Sequence, residues 1–211
     1  MKFGLLLILV IAFTSFTNLM NPIAPSPLTE YSVEWNDKKY LACNTAANAN
    51  YMTAEERKTI YVLNLARINP QLFATTVLKS YPDKTDWNVN RNTTYYKSLA
   101  NTMSNAQPMS LLYPDSLAYV SAYCHAVSTG KNGSVTHDRT EQCKKVQQFN
   151  GECCQYGNDE ALEILMSLLI DEGIPNLGHR KILLGSYQAI GVSIQPHIQY
   201  KYTAVLDLIE H

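Results

Sequence analysis

Val135-Thr136-His137-Asp138-Arg139, then Phe149-Asn150-Gly151-Glu152, then Ile174-Pro175-Asn176-Leu177-Gly178-His179-Arg180: three short signatures follow one another between Val135 and Leu184. They spread two histidines and a carboxylate along the chain. Groups so far apart meet only if separate elements carry them to one cleft. The run Ala161 to Ile170, ahead of the last signature, is strongly apolar and predicts a buried helix. Asn158 is its candidate N-cap, with Asp159 and Glu160 in the first turn, where negative charge is favoured. Gly173 and Pro175 stop that helix, so His179 belongs to the loop or short helix beyond it.

Working outward, Ala189 to Ile194 and Tyr200 to Leu206 are β-rich and nearly alternating, with a turn region from Gln195 to Gln199. Upstream, Thr53-Ala54-Glu55-Glu56 is a capping box that opens a helix carrying Ile60, Leu63 and Ala66 as far as Asn69. Pro70 suits the first turn of a second helix with Leu72, Phe73, Val77 and Leu78. Tyr81 to Thr94 reads as a long surface loop and Tyr95 to Met103 as a helix. Pro114-Asp115 opens a stronger helix with Leu117, Val120, Ser121, Cys124 and His125 on roughly one side, ended by Gly130 and Gly133. Helices first and strands last imply an α/β (α+β) fold, a mixed sheet covered by helices.

The 211 residues suit one domain of ordinary size, and 46% hydrophobic residues suffice for a full core. A net charge of −1 with no basic block excludes a nucleic-acid footprint and a polybasic membrane-surface segment. Fourteen tyrosines against five phenylalanines point to rings that keep a polar tip wet. Met1-Lys2 followed by the apolar run Phe3 to Phe13 is too short to span a bilayer and suits a signal peptide over residues 1–20. Residues 21–50, with Pro22, Pro25 and Pro27, read as an extended leader in which Tyr31 to Trp35 add an edge strand; the domain then occupies 51–211. The expected location is secreted or periplasmic, with no transmembrane domain once the signal is removed. Five cysteines fit an oxidising compartment and leave at least one outside intrachain pairs. Cys143 with Cys153 or Cys154, and Cys124 with the other member of the vicinal pair, are the expected bridges, although connectivity is not readable from sequence. Asn92 and Asn132 open glycosylation acceptor triplets.

A family resemblance rests on an ordered set of residues. Leu63-Asn64-Leu65-Ala66-Arg67 on the first helix, His137-Asp138, Gly151-Glu152, the apolar helix, Gly178-His179-Arg180 and Ile190-Gly191-Val192 together resemble the CAP superfamily. This is the SCP, cysteine-rich secretory, antigen 5 and pathogenesis-related 1 group, here in its bacterial form, and the likeness runs from Thr53 to Leu208. It implies a three-layer α-β-α sandwich whose central cleft holds two histidines and two acids. His137 matches the first histidine, Glu152 the first acid and His179 the second histidine. The second acid of animal and plant members falls near Leu168 here; Asp171, one turn further, is the candidate, with Glu172 and Glu163 behind it. Members are variously described as binding sterols, lipids or other ligands, with proteolysis claimed for some.

Two neutral imidazoles are good donors to Zn2+ or another divalent cation, at about 2.0–2.1 Å each. Glu152 is either the cleft carboxylate or an acid closing a turn. Asp138 reads as a residue that holds His137 or caps a helix, and Arg180 as one that packs outward or pairs with an acid. His125 is expected to be a hydrogen-bonded core histidine, and His197 and His211 to face solvent. The leading expectation is an exported module whose cleft binds a divalent cation or a small polar or lipid-like ligand, with a small molecule, a lipid or an extracellular polymer as partner. A metal-dependent hydrolase acting on extracellular or envelope substrates, with Glu152 as candidate general base, is the alternative. Neither an H-E-x-x-H helix nor a G-x-S-x-G elbow is present. A third reading is a rigid scaffold whose tyrosine-rich loop, Tyr81 to Tyr96, meets partner proteins.

Overall fold

In the computed structural model, which describes residues 24–210, the chain enters through a 3-10 turn at Val33–Asn36 and one helical turn, α1 (Lys38–Leu41). Helix α2 (Ala54–Ile68) follows. Its capping box is complete: the Thr53 amide donates to Glu56 at 2.6 Å and the Glu56 amide donates to Thr53 Oγ1 at 3.3 Å. Pro70 starts α3 (Pro70–Phe73), which runs on as a π-helical turn over Ala74–Leu78. Then come α4 (Thr94–Asn105), β1 (Tyr113–Pro114), α5 (Ser116–Asn132), α6 (Glu141–Lys144) and β2 (Gly151–Tyr156). The chain closes with α7 (Ala161–Ile170), α8 (Gly178–Leu183), β3 (Ala189–His197) and β4 (Lys201–Ile209).

The expected mixed α/β architecture is present. The four strands lie in the order β1-β3-β4-β2, with β1 parallel to β3 and the other two pairings antiparallel. Alternation along the strands divides the side chains between two faces. Ile190, Val192, Leu206 and Leu208 join the main core with residues of α2 and α7. From the other face Val205 and Cys154 pack under Ala122 and Ala126 of α5. Small residues let α5 sit directly on the sheet. A Cβ on Gly191 would run into the backbone of Ala118 and Tyr119, and one on Gly130 into the carbonyl of Pro196.

Several expectations need correction. Within the described residues, 24–50 is not an extended leader, and Tyr31 to Trp35 form turns, not an edge strand. Ser32 and Asp37 cap the short helical turns, while Leu28, Trp35, Tyr40, Cys43 and Ala46 are buried in the main core. Trp35 Nε1 donates to Thr76 Oγ1 at 3.1 Å, which ties the segment to the π-helical turn. The signal peptide expected over 1–20 and the terminal His211 lie outside the described residues. Asn158 does not cap α7; the Ala161 amide donates instead to Glu55 Oε2 at 3.1 Å, across from α2.

The disulfide also differs: Cys124 on α5 is bonded to Cys143 on α6. Cys153 and Cys154 are neighbours in a strand, so their thiols point to opposite faces, and both stay buried and free, as does Cys43. Among the described residues no helix is long and apolar enough to cross a membrane.

The glycine contact generates a stability test. Gly191→Ala is expected to lower unfolding stability by about 3 kcal/mol, the upper range for overpacking, because the opposing atoms are backbone and cannot turn aside. Urea denaturation of the two proteins measures it; coincident midpoints would contradict the close approach of α5 to β3.

Candidate functional site

The first histidine is positioned by the end of α5. Gly133 takes a left-handed φ of 69°, which turns the chain back along the helix, and the Ser134 amide donates to Thr129 O at 3.1 Å. Thr136 is then pinned between two side chains. Its carbonyl accepts from His125 Nε2 at 3.0 Å, and its amide donates to the Tyr156 hydroxyl at 3.3 Å. His137 follows on this turn, its side chain about 58% exposed, with Nδ1 2.8 Å from Glu152 Oε1. Glu152 stands on β2 and is itself buried.

Behind that carboxylate lies a guanidinium. Arg139, buried, donates to Glu152 Oε2, to Asp207 Oδ2 at 2.8 Å and to the Ser121 carbonyl at 2.7 Å. Its flat face covers the Phe149 ring at 4.5 Å. Ser121 Oγ donates to Asp207 Oδ2 at 2.6 Å. Glu152 and Asp207 are register partners across the β2–β4 ladder, so their side chains leave the sheet side by side on the α5 face.

The second histidine is set by a helix end. α7 stops at Asp171, which adopts a left-handed φ of 58°. The residue at the start of α8, Leu177, has no side-chain oxygen to cap the helix and itself sits at φ 52°. Asp171 supplies the cap from the preceding turn: its Oδ2 accepts from the His179 amide at 3.1 Å and the Arg180 amide at 3.3 Å. Its Oδ1 lies 2.7 Å from His179 Nδ1. The rings of His137 and His179 lie beside one another, with centroids 6.2 Å apart and planes 30° from parallel. Beside them opens a cavity of about 400 Å³ whose wall includes Trp87, Tyr156, Glu163, Leu168 and His179.

Each ring therefore offers Nδ1–H to a carboxylate and keeps the lone pair of Nε2. That arrangement sets the tautomer of a metal-binding histidine and raises its basicity. Each ring thus leaves one nitrogen open to a ligand while its carboxylate holds the other.

Electrostatics follow from the pairing. The bond to Glu152, opposed by burial, raises the His137 pKa above the ordinary imidazole value. Burial alone would raise the Glu152 carboxyl, but the His137 bond and the Arg139 charge outweigh it and leave the pKa lowered. Asp207 is pushed up to about 7 by burial, against the pull of Arg139, with the Glu152 charge adding to the rise. One guanidinium faces two buried carboxylates, so Asp207 retains its proton to near neutrality.

Of the residues singled out in the sequence, His137, Glu152, Asp171 and His179 come together as two neighbouring pairs. Glu163 and Glu172 line the cavity without pairing with either ring; Glu163 accepts from the Tyr81 hydroxyl at 2.5 Å. Asp138 is exposed, and its amide, not its carboxylate, makes the local bond, to Thr136 Oγ1 at 2.9 Å. Arg180 neither packs outward nor pairs with an acid. It is buried and donates to the carbonyls of Leu169 and Ile170 at the end of α7, at 2.6 and 2.7 Å, and to Ser98 Oγ on α4 at 2.8 Å. His125 is buried as expected but not fully satisfied: Nε2 bonds the Thr136 carbonyl at 3.0 Å, while Nδ1 has no partner. His197 is buried, not solvent-facing: Nδ1 accepts from the Gln199 and Tyr200 amides at 3.2 Å each.

Arg139, Ser121 and Asp207 are the participants that sequence reading missed. The available signal was Asp207 itself, an acid inside the apolar run Val205-Leu206-Asp207-Leu208-Ile209, which demands a buried cation. No family model matches the chain, and neither a curated protein nor a solved structure does.

Asp207 yields a pH test with a definite sign. A carboxyl raised from 3.8 to about 7 on folding stabilises fully below the lower value, and that contribution is lost as pH rises through the higher one. The stability deficit of Asp207→Asn relative to the unaltered protein is therefore expected to shrink as pH rises across this window. Urea midpoints of both proteins along a pH series read this out; parallel curves would contradict the assignment.

Proposed function

We propose that this chain is an extracytoplasmic, CAP-like binding module whose cleft holds a divalent cation such as zinc between His137 and His179 and takes a small polar or lipid-like ligand in the adjoining cavity. The observation that carries the reading is the placing of two histidine–carboxylate pairs beside one another, with ring centroids 6.2 Å apart. When bound, the ion would act as a Lewis acid toward an oxygen-bearing ligand. Glu152 and Asp171 orient the rings and add negative charge behind them. Helices against both faces of the sheet accord with the α-β-α layering of the CAP fold, and the Cys124–Cys143 bridge accords with an oxidising compartment.

The hydrolase reading is second. A general base needs a free lone pair within reach of the proton it takes. Glu152 is held by His137 and Arg139, which leave its pKa below the ordinary carboxylate value and make it a weak proton acceptor, so we assign it a positioning role. The cavity beside the rings, with Trp87, Tyr156 and Leu168 in its wall, supports the binding reading instead.

Calorimetric titration of the protein with zinc tests the cleft. His137→Ala and His179→Ala are each expected to weaken binding at least about tenfold, and Asp171→Asn, which removes only the support of His179, about 10- to 100-fold. Equal binding by all four proteins removes the cation from the cleft.

A further inference from the structure

Below the neighbouring rings, on the α5 side of the sheet, lies a cluster that the two pairs do not account for. His125 is fully buried. Its Nε2 meets the Thr136 carbonyl, which only accepts, so Nε2 carries the proton and Nδ1 keeps a lone pair. That Nδ1 has no hydrogen-bond partner at all. A buried polar atom left in this state is uncommon and calls for a reason. Cys154 follows Glu152 by two residues on β2, so the two side chains share a face, and its thiol is free. A ring nitrogen of His125, Cys154 Sγ and a carboxylate oxygen of Glu152 lie within 4.8 Å of one another. Cys154 also forms part of the wall of the cavity, which provides a route from solvent.

We propose that His125, Cys154 and Glu152 form an inner cation site, which shares Glu152 with the His137–His179 cleft but uses neither of its imidazoles, and that this site takes a thiolate-seeking divalent ion, zinc foremost. The donor set decides the class. One imidazole, one sulfur and one carboxylate suit zinc with a fourth position left for water, whereas calcium and magnesium prefer oxygen alone. Binding replaces the Cys154 S–H bond with a sulfur–metal bond and releases the proton to solvent. The thiolate and the Glu152 carboxylate together offset the charge of the dication. The unpartnered His125 nitrogen gains the partner it lacks. His137 Nδ1 stands 3.8 Å from Cys154 Sγ, so its ring marks the boundary between the outer and inner sites.

Cobalt(II) distinguishes the two sites, because only the inner one contains sulfur. Titration of the full chain with Co2+ is expected to produce a thiolate-to-cobalt charge-transfer band in the near ultraviolet. The band should persist in His179→Ala and Cys153→Ser and vanish in Cys154→Ser. His125→Gln, which can still donate to the Thr136 carbonyl, should weaken the band's apparent affinity at least about tenfold, no less than the loss of a mere supporting partner. Absence of a sulfur band at saturating Co2+, its survival in Cys154→Ser, or unchanged affinity in His125→Gln overturns the proposal. A measurement on the unaltered protein covers the case in which a variant fails to fold. Zinc should slow alkylation of Cys154, mapped by mass spectrometry, in the unaltered protein and in His179→Ala alike; alkylation at the zinc-free rate overturns the inner site.

Discussion

A guanidinium buried between two carboxylates holds the region around the two neighbouring histidines together. Arg139 comes from the loop after α5, Glu152 from β2 and Asp207 from β4, and Ser121 of α5 closes the group. Taking such charges out of water is expensive, and the group persists because each member is hydrogen-bonded by the others. Removing one partner would strand the rest, a loss of about 3–5 kcal/mol for a buried pair. The constraint is geometric as well as energetic. With Oε2 held by Arg139, the Glu152 carboxylate is fixed in rotation and its Oε1 is directed at His137. The exposed histidine thus inherits its orientation from a group it does not touch.

The opposite pair is set by backbone conformation. Asp171 leaves α7 in the left-handed region, which Asp tolerates better than most residues, while Leu177 enters the same region with no such excuse. A non-glycine residue in this state costs about 1–3 kcal/mol and persists only where its surroundings insist on it. Here the insistence comes from both sides. Arg180 ties the start of α8 to the last carbonyls of α7, and Asp171 caps the amides of His179 and Arg180. One carboxylate therefore ends one helix, begins the next and orients an imidazole.

How much of this was legible depended on whether the determining contact was local. The Thr53 capping box, the apolar α7 and the alternation of the closing strands are local patterns, and each appears where the sequence places it. Residues 151–156 read poorly as a strand because Gly-Glu-Cys-Cys-Gln-Tyr has no β-branched residue and no clean alternation; pairing with β4 decides it. The prolines near the start suggested extended chain, yet Leu28, Trp35 and Tyr40 find partners on α2 and the π-helical turn that no nearby residue announces. His137, Glu152, Asp171 and His179 were nameable in advance because their order along the chain resembles a known arrangement. Their supports were not: Arg139 and Asp207 meet across 68 positions of sequence, and nothing local specifies that partner.

The bond between Cys124 and Cys143 closes a ring of chain that contains His125, His137 and Arg139. Every basic group on the Glu152 side of the cleft is thus carried on a covalently fenced stretch, whereas Asp171 and His179 sit on a stretch held only by hydrogen bonds and packing. The two walls answer to different agents. Reduction of the bond removes that fence from the first stretch and leaves every contact that holds the second in place.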